Sequence, residues 1–460
     1  MSKKDANGSL TRRDLIKYSM FVGAALGVPR WKVFEVLEGT GGRALAAEAA
    51  CATTNRSVHI IAGSGGFAWF QLLWPHNDVA AAGNSGFAFH APGEQTMAMG
   101  TDMPLTLGPE APWKTLTGRR QVTAMIAGNN EAHTNQPVTS TTVATGVSVF
   151  AAAASLQAST PTLVPVIAVD DVPFGTANGA PRAARVGNAD GIVELFNSAA
   201  SRAGGVLEAE ANGSLYVAAY NAFQQLHRAA GRPTMVRAFG TGNTAARLLG
   251  KNLAAALRPT DADLARYGVN AGSANKLVQF AKALAATAKA FSMGLTSSVI
   301  IPAMRDDPHG AFGDMADLRL TVQTLGASLD AFLADLSAVD DPTCGGSKIA
   351  DNTVISINGD TPKDPLDRGG WPDGTPRNAN WMYVLGAGHL KTGWFGGVRR
   401  DGNVRIFNPS NGQEMDGDPA TTGMPAAASV IYAVAKGDMR RVQDFYRGVD
   451  LGGIVRPLDM

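Results

Sequence analysis

Charged side chains are scarce in this chain. Asp, Glu, Lys and Arg make up 17% of its 460 residues, and the formal net charge is +1. No basic stretch interleaved with aromatic residues occurs, which argues against nucleic acid as a partner. No apolar run approaches the roughly 20 residues that a transmembrane helix needs. Because hydrophobic residues reach 45%, the low charge content excludes a disordered chain and predicts a globular protein with a large core.

Cysteine is nearly absent, with only Cys51 and Cys344. A Cys-x-x-Cys-His motif, a dinucleotide-binding glycine fingerprint and a phosphate-binding loop are missing, which argues against heme- and nucleotide-dependent enzymes. Two cysteines permit one disulfide in an oxidising compartment, but two separate thiols are equally compatible with the sequence. A lipid anchor on Cys51 is disfavoured, because Glu48-Ala49-Ala50 is a poor approach to a lipidated cysteine.

The amino terminus carries the most specific pattern in the chain. Thr11-Arg12-Arg13-Asp14-Leu15-Ile16-Lys17 precedes a modestly apolar run, Ser19–Val28, and together they resemble a twin-arginine export signal. The alternative is a basic amphipathic start to an ordinary helix. Ala44-Leu45-Ala46 offers a small-x-small cleavage site. We therefore predict a signal peptide and spacer over 1–46 and one mature domain over 47–460, exported by the twin-arginine (Tat) machinery to the periplasm or the cell exterior of a bacterium.

Strand-like and helix-like stretches alternate along the mature chain. Short β-branched and apolar runs lie at 58–62, 122–127, 163–169, 298–302, 353–357 and 381–385. Pro165 suggests a later start for the third run. Apolar residues at three- and four-residue spacing predict helices across most of 192–291, at 318–336 and in the tail at 426–435 and 439–446, whereas 83–118 is predicted as surface loop. The pattern predicts an α/β fold with a mostly parallel sheet covered by helices on both faces.

Polar side chains follow several of these strands directly. They are Ser64 in a glycine turn, Ser140 and Thr141 in a hydroxyl cluster, Asp307 and His309, and Asp360 with Asp364 and Asp367. Because parallel strands end at one edge of a sheet, these loops are expected to converge there. The alternatives are a plain tight turn around Ser64, helix capping by the hydroxyl cluster, and a solvated turn in which Asp306 or Asp307 caps the next helix.

Four segments share their order and spacing with motifs of a known family. They are Met304-Arg305-Asp306-Asp307-Pro308-His309, similar to the family's Trp-Asp-x-His; Ala331-Phe332-Leu333-Ala334-Asp335-Leu336, similar to its Ala-Phe-Leu-x-Asp-Leu; Gly359-Asp360-Thr361-Pro362, similar to Gly-Glu-Phe-Gly-Arg-Thr-Pro after a deletion; and Gly386-Ala387-Gly388-His389-Leu390-Lys391-Thr392-Gly393, similar to Ala-Gly-Gly-Gly-x-Lys-Gly-Gly. In these motifs the chain resembles the domain-of-unknown-function family 1501, Tat-exported proteins of the alkaline phosphatase and sulfatase superfamily. The similarity covers most of the mature chain and is strongest from Leu277 to Val398.

The resemblance implies an alkaline-phosphatase-like fold and a metal-dependent hydrolase of phospho- or sulfo-esters, with a small molecule or a polymer as the substrate. It puts Asp307 and His309 on the acid and histidine of the first motif and Asp360 on the acid of the third. Asp367 has the best placement to replace a missing ligand. Together these residues would hold a divalent metal: zinc, or calcium or magnesium.

The implied nucleophile is a hydroxyl group. The family's nucleophile position falls loosely at Ser140 or Thr141. Superfamily enzymes place an aspartate after the first strand, where this chain has Ser64. A neutral hydroxyl binds a hard cation more weakly than a carboxylate, so at most one tightly bound metal is expected instead of two.

The largest departure from the family is a missing histidine. The family's Arg-Asp-His-Trp segment corresponds here to Asp367-Arg368-Gly369-Gly370-Trp371, and no histidine occurs between His309 and His389. Asp364, Asp367 or His389 could take its place. A second function is therefore kept open: a non-catalytic periplasmic or cell-envelope binding protein that kept the fold and lost the metal site.

Overall fold

The structure is a computed structural model. It describes residues 51–63, 70–81, 93–131, 134–197, 213–248, 251–303, 314–359, 379–399 and 403–458. No helix within these ranges is both long enough and apolar enough to cross a membrane.

An eight-stranded sheet forms the centre of the described fold. Its strands are β1 (Arg56–Ala62), β2 (Thr123–Asn129), β3 (Val166–Val169), β4 (Ala184–Val186), β5 (Ser298–Pro302), β6 (Thr353–Gly359), β7 (Ala379–Leu385) and β8 (Gly393–Phe395). They are arranged in the order β8-β2-β7-β6-β1-β5-β3-β4. All are mutually parallel except β7, which pairs antiparallel with both β6 and β2. The predicted α/β class with a mostly parallel sheet is confirmed.

Helices pack on both faces of the sheet. They are α1 (Asn77–Ala81), α2 (Val149–Leu156), α3 (Ala189–Glu194), α4 (Gly213–Ala229), α5 (Pro233–Arg247), α6 (Leu253–Leu257), α7 (Asp261–Arg266), α8 (Asn275–Ser292), α9 (Met315–Ala338), α10 (Gly423–Val434) and α11 (Met439–Val442). Of these, α4 and α5 pack mainly against each other. Side chains alternate along β1, so Val58 and Ile60 pack in the core with α8 and α9, and Ile61 packs in the core with α2 and α10.

The long helix α9 follows its sequence pattern closely. The predicted apolar stripe from Leu318 to Leu336 is buried along its length. The helix begins at Met315, and the Asp314 carboxylate caps it by accepting from Ala316 N and Asp317 N at 3.0 and 3.1 Å. Capping of this helix by Asp306 or Asp307 was therefore the wrong alternative. The acid that caps the first turn is Asp314, which directly precedes the helix. It lies seven residues after Asp307 and eight after Asp306.

Two other expectations need correction, and one small sheet was missed. The described part of 83–118 is not purely surface loop, because it contains the paired strands Thr96–Met97 and Thr106–Leu107 and buries Trp113. The final helix ends at Val442 instead of 446. A three-stranded antiparallel sheet, formed by Gly397–Val398, Val404–Phe407 and Glu414–Met415, was not predicted. These strands have two to four residues, too few to show a clear period.

A disulfide joins Cys51 to Cys344 across a sequence separation of 293 residues. Beside it, Arg56 at the start of β1 makes a bidentate ion pair with Asp341 in the loop between α9 and β6. The two N–O distances are 2.8 and 3.0 Å, and both side chains are buried. Burial alone would raise the pKa of Asp341, but the hydrogen bonds and charge of Arg56 outweigh it and lower that pKa. The amino-terminal end of the described chain is thus held to the loop that precedes β6.

Candidate functional site

The carboxyl ends of three central strands meet at one edge of the sheet. In the β1–β6 pair Ala62 stands opposite Gly359, and in the β1–β5 pair Ile61 stands opposite Pro302. Ala303 N donates to Ile61 O at 2.8 Å, so the chain leaving β5 stays beside β1. Adjacent strands lie about 4.8 Å apart, so these three ends fall within about 10 Å of one another. These strands end at one edge, as predicted; the loops after them lie largely outside the described residues, so the convergence of the loops stays a prediction.

Five of the seven candidate site residues lie outside the described residues. They are Ser64, Asp307, His309, Asp360 and Asp367. For all five, the structure gives the position of the strand end from which the loop starts. Within the described ranges no group of three or more His, Cys, Asp or Glu side chains is close enough to hold a metal ion.

The segment that follows β2 lies across this edge. At Gly63, just after β1, an added Cβ would stand 2.8 Å from Thr134 O, so only glycine fits beside the crossing segment. Further along, the Gln136 amide donates from Nε2 to Asp171 O at 3.1 Å, beyond the end of β3. Residues 134–141 therefore pass over the ends of several parallel strands, where open α/β sheets bind their ligands.

Ser140 and Thr141 are both buried in this segment. The Ser140 hydroxyl donates to Gly359 O at 3.4 Å, so it lies at the strand end that precedes Asp360. The Thr141 hydroxyl donates to carbonyl oxygens of its own segment, at Pro137 and Val138. Neither caps α2, whose first turn is capped by Ser148 Oγ, 3.2 Å from Phe150 N. The capping alternative was wrong, because a short hairpin, Thr142–Ala144 with Val147–Ser148, separates the cluster from the helix.

Amide side chains supply further polar groups near this edge. The Asn380 amide donates from Nδ2 to Gly359 O at 2.6 Å. Asn358 is buried, and its Oδ1 has no hydrogen-bond partner within the described structure; the same holds for Asn129 Oδ1. Unpaired amide oxygens are suitable ligands for a hard cation, but two of them alone do not make a metal site. A metal here requires the carboxylates and the imidazole of the neighbouring loops.

A buried polar chain leads from the middle of the sheet towards Asn358. Nδ1 of His59 lies 2.8 Å from Ser356 Oγ, and Asn358 Nδ2 donates to the same hydroxyl at 3.0 Å. The Ser356 hydroxyl can therefore donate to Nδ1, which places the imidazole proton on Nε2, an atom without a partner in the described structure. Burial lowers the pKa of His59 to about 3, so the ring is neutral at ordinary pH. His59 has no exposed surface, and its ring contributes a hydrogen bond between β1 and β6.

His59 was missed at the sequence level. Its neighbours Val58 and Ile60 show a buried strand, but no sequence signal identified Ser356 as its partner, since the two residues are 297 positions apart.

His389 does not belong to the candidate site. It follows β7, which runs antiparallel, so Leu385 at the end of β7 pairs with Ile355 near the start of β6. His389 therefore lies at the amino edge of the sheet, opposite to the loop that starts after Gly359. The idea that it replaces the missing metal ligand was wrong, because the sequence pattern of a strand does not reveal its direction.

Comparisons of this chain with models of known protein families, with curated proteins and with solved structures found no match in any of the three.

Proposed function

We propose that this chain is an exported protein of the alkaline phosphatase and sulfatase type that hydrolyses a phospho- or sulfo-ester with the help of one divalent metal. The observation that carries the proposal is the meeting of the carboxyl ends of β1, β5 and β6 at one edge, with Ser140 hydrogen-bonded to Gly359 O. The loops of all the candidate ligands start from these three strands.

The residues have distinct roles in the proposed site. Asp307, His309 and Asp360 would hold the metal, with Asp367 as an additional ligand. A bound divalent ion would stabilise the negative charge that develops on the phosphoryl or sulfuryl oxygens. Ser140 is hydrogen-bonded to Gly359, the last residue of β6 before the loop of Asp360. It is the preferred nucleophile over Thr141, because the Thr141 hydroxyl turns back to its own segment. Ser64 would hold water or substrate.

A second function is favoured by the burial of the hydroxyl groups. Ser140 is fully buried, and Thr141 is 4% exposed. A nucleophile must reach its substrate, and in this conformation neither hydroxyl is accessible. With the missing histidine, this observation supports the alternative of a non-catalytic periplasmic or cell-envelope binding protein that retains the fold.

The metal content of the purified mature protein tests the first function against the second. We expect about one zinc, calcium or magnesium ion per chain by elemental analysis, lost in His309→Ala, because an imidazole ligand contributes strongly to affinity. Hydrolysis of p-nitrophenyl phosphate or sulfate should be lost in the same variant and in Ser140→Ala. Less than about one tenth of an ion per chain, with neither ester hydrolysed, would favour the binding protein.

Export is tested by replacing the arginine pair. Arg12→Lys with Arg13→Lys keeps the charge but changes the pair that the export receptor reads, so we expect the protein to remain in the cytoplasm. The Cys51–Cys344 disulfide supports the proposal of an oxidising destination. Lys3→Arg with Lys4→Arg is the matched control, because it changes basic residues outside the motif. Unchanged periplasmic or secreted yield from the Arg12/Arg13 variant would contradict export by this route.

A further inference from the structure

A cavity of about 520 Å³ opens at the amino edge of the sheet. Thr353, the first residue of β6, and Leu385, the last residue of β7, both line it. Since β6 is seven residues long, its amino end lies about 20 Å from its carboxyl end at Gly359. The cavity is thus separate from the candidate site, and a ligand in it would bind whether or not the proposed hydrolase chemistry exists.

Basic side chains dominate the polar part of the cavity wall. The described lining contains Arg119, Arg120, Lys391 and Arg456, together with one carboxylate, Asp351. Asp351 pairs with Arg120, and Arg456 pairs with Asp102, which is outside the lining. Even when both carboxylates are counted against the four cations, the wall keeps a net positive charge. A wall of this sign concentrates anions.

Two of these cations also donate to neutral backbone carbonyl groups. Lys391 Nζ donates to Gly452 O at 2.8 Å, and an ammonium group has three hydrogens, so it retains donors for a ligand. Arg456 Nε donates to Leu390 O at 3.0 Å. Both groups are only partly exposed. Their positions are therefore set before any ligand binds, which lowers the entropy cost of binding.

The half-buried ring of His389 also lies in the cavity wall. Burial lowers its pKa to about 4, and the positive charges of Lys436 and Arg119 add to the effect. At neutral pH the ring is therefore uncharged and can donate one N–H to an acceptor. The negative charge of a bound anion would offset the positive charges of Lys436 and Arg119 and would therefore raise the pKa of His389.

The remainder of the wall is largely apolar. Leu116, Leu333 and Leu385 contribute to it, with Pro457 and Leu458 from the carboxyl-terminal segment. A volume of about 520 Å³ falls within the roughly 300–1,000 Å³ that is common for small-molecule pockets. An inorganic anion would fill only a small part of this volume and would leave the leucines in contact with water.

We propose that this cavity binds a small amphipathic organic anion, with its carboxylate or phosphate near Lys391, Arg119 and Arg456 and its apolar body against the leucine side chains. The charged group confers orientation, and the apolar body supplies contact area. Lipid fragments and aromatic acids both combine an anionic group with an apolar body.

Isothermal titration of the full mature protein with octanoate tests the proposal. We expect saturable binding of one octanoate per chain. The double variant Arg119→Ala, Lys391→Ala should weaken it by about tenfold or more, as removal of two charged contacts does. Arg247→Ala, on the exposed surface of α5, is the matched control and should bind as the wild type does. In the NMR titration of the histidines, octanoate should raise the pKa of His389 in the wild type.

Two further probes, one without charge and one without an apolar body, complete the test. Octanol has the same chain without the charge, and inorganic phosphate has charge without an apolar body, so both should bind at least about tenfold more weakly than octanoate. No saturable octanoate binding up to about 10 mM, or equal binding by the double variant, would overturn the proposal. Phosphate binding as tight as octanoate binding would also overturn it, because it would show a site for simple anions. None of these outcomes depends on metal content or ester hydrolysis.

Discussion

Replacement of Cys51 and Cys344 together by alanine is expected to lower the free energy of unfolding by about 4 kcal/mol. The disulfide closes a loop over a sequence separation of 293 residues, which includes five of the eight strands of the central sheet. A cross-link over so long a loop removes much of the conformational freedom of the unfolded chain. Equilibrium urea unfolding of the two proteins, monitored by tryptophan fluorescence, gives the difference directly.

A reducing agent provides the matched control for this prediction. Reductant should lower the stability of the wild type to the level of the double variant and leave the variant unchanged. Alanine is preferred to serine, because Cys344 is buried and a hydroxyl there would add the cost of an unsatisfied polar group. Reactivity of two free thiols in the unfolded, non-reduced wild type would show that the bond does not form.

Acid is expected to destabilise the protein through His59. The unfolded chain binds a proton on this residue below pH 6.5, whereas the folded protein does not until about pH 3. The unfolded state therefore carries the extra proton across that window, and stability falls as the pH is lowered through 6.5. The loss from this one residue is about 2 kcal/mol between about pH 7.5 and about pH 5, and it approaches about 5 kcal/mol below pH 3.

His59→Asn isolates this contribution. Asparagine keeps an amide near the position of Nδ1, so it can still bond to Ser356, but it has no proton to gain. The variant should be less stable than the wild type at pH 7.5, because the ring that contacts Phe150 is lost and leaves a cavity. Its loss of stability on acidification should be smaller by about 2 kcal/mol at about pH 5. The pKa values of His76 and His389 are also lowered, to about 4. These histidines contribute equally to the pH dependence of both proteins, so their contributions cancel in the comparison.

The comparison uses urea unfolding at each pH. An identical pH dependence in wild type and variant would contradict the neutral, buried state of His59. An NMR titration supplies a second measurement, because the His59 ring should keep its neutral chemical shifts from about pH 8 to about pH 4.5 in the folded protein.

Local elements were largely determined by the sequence. The run 298–302 and the stripe from Leu318 to Leu336 form a buried strand and a helix at the predicted positions. The start of α7 is fixed by a capping box between Thr260 and Asp263, and Gly294 adopts a positive φ of 68° just after α8. Side-chain period, capping groups and glycine act over a few residues, so they can be read from a short window of sequence.

Tertiary structure alone decided how distant segments meet. The antiparallel direction of β7 moved His389 from the candidate site to the opposite edge, where it joins Arg119 and Lys391 around a cavity. The fold also paired Cys51 with Cys344 and set His59 beside Ser356. These contacts join residues that are far apart in the chain. They depend on the packing of the whole sheet and its helices, and no local pattern of residue types specifies them.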